Sequence, residues 1–287
     1  MITPRDTAVL ASLAHYYTLT RVQITRLHFP DDPDGRTTRK RLQLLLDAKL
    51  LNRTHMQVVN PTMGAPAPVY YPSAAGCAWL AQEREDPRYL RTCTQTPTWQ
   101  NLYHWVQVAD VHILFDQTIA KLNDITIEEW LSEWSVANPD EENPAKRFCL
   151  FTLLRENPRL VCVPDAAFLL QKDGHRKVFY LEVDRDTTQP AARVIARKAE
   201  GYAQLAAQGL HRRHFPTTTL DSFAVLVIAP TTKRRDALRQ AMALKQHGAT
   251  LWKFAALSDL KAETLLTAPV FYPCLGDALP LLKGGAS

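Results

Sequence analysis

Apolar positions recur at helical spacing over the first fifty residues and then give way to strand-like runs. Val9, Leu10 and Leu13 form a stripe behind Thr3-Pro4-Arg5-Asp6. There Thr3 reads as an N-cap, Pro4 occupies the first turn and Asp6 lies near the positive end of the helix. A second start falls at Thr20, with Gln23 three residues on and Ile24 and Leu27 as the buried side. The cluster Asp31-Asp32-Pro33-Asp34-Gly35 marks a turn. From it a third helix runs to about Leu50, with Leu42, Leu45, Leu46 and Leu50 as its stripe. Residues 51–59 and 69–71 read as two short strands joined by the Pro- and Gly-containing loop 60–68, and 73–83 as a helix packing that hairpin.

Residues 86–98 are polar, contain Pro87 and Pro97, and read as a linker. Beyond them the pattern predicts a helix over 99–122 and a strand over 125–134, then an acidic excursion over 136–144. Strands follow at 159–170 and 177–183, with the turn Lys172-Asp173-Gly174 between them. A helix at 190–208, a buried strand at 222–228, a helix at 233–247 and a strand at 250–256 complete the order. The succession α-β-β-β-α-β-α-β predicts an α/β sheet with helices on its faces, so the chain as a whole is α/β, or α+β when the N-terminal part is counted. The expected domains are 1–85 and 99–275, with the linker 86–98 between them and a tail at 276–287.

Composition narrows the function classes. With 287 residues, 46% of them hydrophobic and 22% charged, the chain can bury two cores, which excludes wholesale disorder. Its five cysteines include no C-x-x-C pair and its nine histidines no H-x-x-x-H pair, so neither a disulfide framework nor a zinc ribbon is expected. Residues 1–17 lack the basic-then-apolar order of a secretion signal, and the apolar run near 223–230 is strand length. There is no G-x-x-x-x-G-K-[ST] phosphate loop and no small-molecule cofactor is evident. The expectation is a soluble cytoplasmic protein without membrane association. The net charge of +5 is small, but its distribution is uneven. From Arg36 to Arg53, six basic residues (Arg36, Arg39, Lys40, Arg41, Lys49, Arg53) face one acid, Asp47. That stretch alone is therefore +5, and the remainder of the chain sums to zero.

Three helices followed by a hairpin resemble a winged helix-turn-helix DNA-binding domain. The resemblance implies a double-stranded DNA partner, with the basic half of the third helix in the major groove and the hairpin over the backbone. Arg36, Arg39, Lys40, Gln43 and Arg53 are the candidate DNA-binding residues. Such domains often bind as dimers, so a homodimer is expected. The plainer alternative is a basic helix face that is simply solvated.

Candidate chemistry gathers at Val163-Pro164-Asp165 and Leu181-Glu182-Val183-Asp184. Period-2 alternation puts Glu182 and Asp184 on one face, and a hairpin can bring Asp165 beside them. Carboxylates so gathered raise one another's pKa unless a cation neutralises them, and hard oxygen donors suit Mg²⁺ or Mn²⁺. This arrangement resembles the PD-(D/E)xK nuclease superfamily, whose core is an α-β-β-β-α-β succession. The resemblance implies Asp165 and Glu182 as catalytic metal ligands, with Asp184 as a further candidate ligand. The lysine expected two residues after the glutamate is replaced by Asp184, and Lys198 on the following helix is the available substitute, with Arg193 and Arg197 nearby. Tyr202 lies one turn beyond Lys198 on the same side. In related nuclease folds the first helix can add a ligand, which makes His104 and Asp110 minor candidates. The plainer alternative is a surface cluster paired with Arg185, Arg193 or Arg197.

Taken in order, T-P-R-D, V-Y-Y-P, P-D-A, L-E-V-D-R-D-T and a helix carrying K-x-x-x-Y are similar to the replication-relaxation family of plasmids and integrative elements. That similarity implies a role in plasmid replication or in relaxing supercoiled DNA. Two functions are compatible with it. One is a DNA-binding protein with a metal-dependent nuclease-like domain that cuts or nicks. The other is a dimeric transcriptional regulator whose nuclease-like domain is degenerate and serves dimerisation or partner binding.

Overall fold

Two capping boxes set the first two helices of the computed structural model, which describes residues 1–57, 68–138, 140–185, 189–245 and 248–282. Helix α1, Pro4–Tyr16, starts where the Thr3 N–H donates to Asp6 Oδ2 (2.7 Å) and the Asp6 N–H returns to Thr3 Oγ1 (3.3 Å). Strand β1, Leu19–Thr20, leads directly into α2, Arg21–His28, where Thr20 and Gln23 repeat the device. Helix α3, Arg36–Asp47, starts differently. Its N-cap, Gly35, sits at φ 65° and has no side chain to offer. The Asp32 carboxylate caps it instead, accepting the N–H groups of Thr37 (3.1 Å) and Thr38 (2.7 Å) and the Thr38 hydroxyl (2.7 Å). Burial alone would raise the Asp32 pKa, but these bonds outweigh it and hold the carboxyl at about 2. The turn cluster read from the sequence is thus also the helix start.

Strands β2, Leu51–His55, and β3, Pro68–Pro72, pair antiparallel, and β1 adds to the other edge of β3. The expected loop tip, up to residue 67, lies outside the described residues. Helix α4, Ala74–Glu83, is capped by Ser73 and crosses close over the Leu50 carbonyl. Only glycine fits at residue 76, because a Cβ there would stand 1.9 Å from the Leu50 oxygen. Leu10, Leu13, Ile24, Leu42, Leu45, Tyr70 and Leu80 fill the core between these elements.

Residues 86–98 carry a short 3-10 helix, Pro87–Arg91. The Tyr17 hydroxyl donates to the Gln95 carbonyl (2.8 Å), and the Tyr71 and Thr96 hydroxyls pair at 3.2 Å. The segment read as a linker is therefore tied to the N-terminal elements. The two compact units are Met1–Ile113 and Leu114–Ser287, so the division falls within helix α5, Trp99–Ile119.

The second unit is an α/β sheet. It contains β4 (Ile125–Ser132), α6 (Pro144–Arg147), β5 (Thr152–Arg155), β6 (Leu160–Cys162), β7 (Ala166–Lys172), β8 (His175–Val183), α7 (Ala191–Ala207), α8 (His211–His214), β9 (Ala224–Ala229), α9 (Thr232–Ala243), β10 (Trp252–Ala256) and β11 (Tyr272–Pro273). The main sheet has the order β11-β10-β9-β8-β7-β4. Strands β4, β7 and β8 are antiparallel neighbours, β8, β9 and β10 run parallel, and β11 is antiparallel again. One correction concerns 159–170, read from the sequence as a single strand. It is two, β6 and β7, and β6 pairs with β5 in a separate small sheet. The break falls at Val163-Pro164-Asp165, where Pro164 has no N–H to give to a ladder.

Alternation along the central strands sends side chains to both faces of the main sheet. On one face Phe168 stacks with both Trp130 and Phe179, and Phe115 packs tilted against it. Val178, Tyr180, Val225 and Trp252 meet Ile195, Tyr202 and Leu205 of α7 and Leu238 and Met242 of α9 on the other. Each such buried side chain stabilises the fold by about 1.5–3 kcal/mol. All five cysteines are free thiols.

Candidate functional site

On α3 the residues expected to face DNA, Arg36, Arg39, Lys40 and Gln43, fall at helical spacing and are all exposed, as is Arg53 on β2. Arg39 reaches back to the Asp34 carbonyl (3.0 Å), the Arg36 N–H donates to Asp34 Oδ1 (3.1 Å), and the Gln43 amide donates to Asp47 Oδ1 (2.8 Å). These are solvent-side contacts that leave the guanidinium and ammonium groups outward. Arg41 behaves differently. Its Nε donates to Asp6 Oδ1 (2.9 Å) and a second nitrogen binds Asp6 Oδ2. Asp6 is fully buried; burial raises its pKa, but the bonds from Arg41 and Thr3 outweigh it and hold the carboxyl below its ordinary value. Of the six cations counted between 36 and 53, five are exposed (Arg36, Arg39, Lys40, Lys49, Arg53) and one is structural.

The second cluster depends on the strand break described above. Ala166 pairs with Leu181 across β7 and β8, and one further step of that register puts Asp165 level with Glu182. Freed from the strand by Pro164, the Asp165 carboxylate turns toward the end of β8, where Oδ2 accepts the Val183 N–H (2.7 Å). Glu182 shares a strand face with Val178 and Tyr180, the side covered by α7. From α7, the Tyr202 hydroxyl donates to Glu182 Oε1 (2.6 Å). Lys198, one turn earlier, bonds Glu182 Oε2 and stands 3.6 Å from Asp165 Oδ1. Asp165, Glu182 and Lys198 are thus brought together, with both carboxylates buried.

The electrostatics follow from that enclosure. Burial raises the Glu182 pKa and the neighbouring Asp165 adds to the rise; Lys198 and the bond from Tyr202 pull it down without cancelling it, so the carboxyl lies above its ordinary value. Burial disfavours the charged form of Lys198, but the two carboxylates outweigh it and hold the ammonium above its usual value. Tyr202 is raised, first by burial and then by the Glu182 charge, so it remains a hydroxyl donor.

Asp184 does not share this arrangement of bonds. Its carboxylate takes two from Arg234 at the start of α9, Nε to Oδ1 at 2.7 Å and a second nitrogen to Oδ2 at 3.0 Å. Arg234 also donates to the Gln189 carbonyl (3.1 Å). The partner of Asp184 therefore lies fifty residues on, and no local pattern pointed to it. Arg193 and Arg197, weighed as partners of the cluster, are exposed, and Lys198 takes that part. Asp110, a minor candidate, pairs with Arg26 in the first unit (2.9 Å). The hydroxyl contact of Tyr202 was not foreseen, although its four-residue spacing from Lys198 was visible.

Among the described residues no helix is long and apolar enough to cross a membrane. No curated protein and no solved structure matches the chain. The family model described as replication-relaxation matches residues 10–219. The matched span includes α3, the Asp165–Glu182 pair and α7, and ends before Arg234. With most of its length inside that match, the chain belongs to the replication-relaxation family.

Proposed function

We propose that the protein docks on duplex DNA through its first unit, acting as a winged helix-turn-helix, and that its second unit is a PD-(D/E)xK-type site for metal-dependent cutting of a phosphodiester. Family membership supports a role in replication or relaxation of a plasmid or mobile element. The observation that carries the DNA reading is the sorting of cations on α3 and β2. Arg36, Arg39, Lys40, Lys49 and Arg53 face solvent while Arg41 is committed to buried Asp6, so five outward cations stand against one outward acid, Asp47. Phosphates reward such a patch by releasing their counterions, and the Arg and Gln side chains can also read base edges.

The nuclease reading rests on the convergence of Asp165, Glu182 and Lys198. The donor set fits Mg²⁺ or Mn²⁺: two carboxylate oxygens, Asp165 Oδ1 and Glu182 Oε2, face the same cationic group, and the Val183 carbonyl is a third candidate ligand. A bound divalent ion would supply charge neutralisation at the phosphate and at the leaving 3′-oxygen. Asp165 and Glu182 would hold it, Tyr202 would keep Glu182 oriented, and Lys198 would orient the attacking water.

One observation favours the regulator as a second reading. Asp184, paired with Arg234, stands where the superfamily places its lysine, and Lys198 already neutralises Glu182 and Asp165, so the cluster can also serve as a purely structural network. The two readings separate on supercoiled plasmid incubated with the protein and Mg²⁺ or Mn²⁺, beside Asp165→Asn and Glu182→Gln. Nicking that both substitutions abolish assigns the nuclease. Duplex binding without nicking in either metal assigns the regulator, and a protein that neither binds nor nicks contradicts both.

A further inference from the structure

The two carboxylates of the second unit are fixed in a way that a simple ion pair does not require. Asp165 commits Oδ2 to the Val183 N–H at 2.7 Å, and Glu182 commits Oε1 to the Tyr202 hydroxyl at 2.6 Å. Both anchors are uncharged, and both leave the second oxygen of their carboxylate facing Lys198 Nζ, which bonds Glu182 Oε2 and lies 3.6 Å from Asp165 Oδ1. The anchors are rigid: one is backbone at the end of a central strand, and the other is a tyrosine only 1% exposed. The oxygens therefore stay turned to the same point whether or not the ammonium is there. The lysine is the adaptable partner, a flexible four-carbon stem whose side chain is 28% exposed.

We propose that Lys198 is the built-in occupant of the site's cation position, and that a divalent metal ion and the Lys198 ammonium hold it in alternation. The inference rests on the reading of Asp165 and Glu182 as a metal centre, and goes beyond it in making the lysine a competitor for the metal as well as a catalytic group. An ammonium and a divalent ion cannot share two oxygens at bonding distance, since their mutual repulsion opposes what each gains from the carboxylates. Metal loading thus expels Lys198 from the carboxylates and releases it toward a substrate phosphate, so that the lysine becomes available only in a loaded site. Tyr202 and the Val183 N–H act as positioning groups that keep the oxygens aimed while the occupant changes.

The test is calorimetric titration of Mn²⁺ into the full chain, its Lys198→Met variant and the double variant Lys198→Met/Asp165→Asn. Removing the competitor should tighten Mn²⁺ binding at least about tenfold, and the added Asp165→Asn should abolish the gain. A Lys198→Met protein that binds no more tightly than wild type, or no binding by any of the proteins, overturns the proposal. Unsubstituted protein supplies a second readout that does not depend on the variant folding. Acetylation of Lys198, followed by mass spectrometry against exposed Lys146, should rise several-fold when Mn²⁺ is added; an unchanged or lower yield overturns the proposal. Failure of the metal-centre reading is distinguishable, because it appears as absent Mn²⁺ binding in wild type and Lys198→Met alike. Binding that depends on Asp165 but does not tighten in Lys198→Met leaves that reading standing and removes only this one.

Discussion

Arg39 and Arg41 lie two residues apart on α3 and serve opposite ends. Arg41 neutralises Asp6, a carboxylate with no exposed side-chain surface, whereas Arg39 is exposed. Removing Arg41 leaves a buried charge without its cation. Arg41→Ala should therefore cost about 3 kcal/mol in urea unfolding, the low end of the range for a broken buried pair because Arg41 is itself 22% exposed. Arg39→Ala should stay within about 0.5 kcal/mol of wild type. Equal costs for the two would contradict this division of labour. His214 gives a pH signature of the same kind. One ring nitrogen meets Thr152 Oγ1 at 2.9 Å and the other meets the Tyr180 hydroxyl at 2.6 Å, an arrangement that a neutral ring satisfies by donating once and accepting once. Burial, with Arg213 and His211 nearby, lowers its pKa to about 4. Because the folded value lies below the unfolded 6.5, this contribution is fully present above pH 6.5 and is lost as the pH falls toward 4. The urea midpoint of wild type should drop across that window, and His214→Asn should flatten the drop; an equal drop in the variant would contradict the assignment.

Elements were legible in the sequence where the signal is local. The capping boxes at Thr3 and Thr20 are four-residue patterns, and the central strands are apolar runs bounded by turns, so both were visible without any partner. Two features were hidden because distant residues decide them. Strand β1 is two residues long and exists only by pairing with β3, fifty residues away. The segment 159–170 reads as one apolar run, yet Pro164 interrupts it, and that interruption is what lets Asp165 turn to the end of β8. The close crossing of α4 over Leu50 was hidden as well, although Gly76 was there to be seen. Gly76→Ala places a methyl against a backbone carbonyl that cannot step aside, and should lower stability by about 1–3 kcal/mol in the same urea assay. An unchanged midpoint would mean that α4 does not approach Leu50 this closely.

For the whole molecule, the charge count was informative only after its members were sorted by burial. The sequence places +5 between Arg36 and Arg53, and the structure removes Arg41 from the outward set and leaves five exposed cations. The candidate catalytic cluster was legible for a similar reason: Asp165, Glu182 and Lys198 follow from a hairpin and the next helix. The ion pair of Asp184 with Arg234 was not legible, because Arg234 comes from α9, fifty residues on. Docking of the first unit on duplex DNA through α3 makes a definite forecast for the salt dependence of binding. If all five exposed cations met phosphates, the logarithm of affinity would fall against the logarithm of salt with a slope of about −4.5, and less steeply with fewer contacts. Arg39→Ala and Lys40→Ala should each weaken binding and make that slope shallower by about 1. Affinity and slope unchanged in both variants would mean that α3 does not contact DNA.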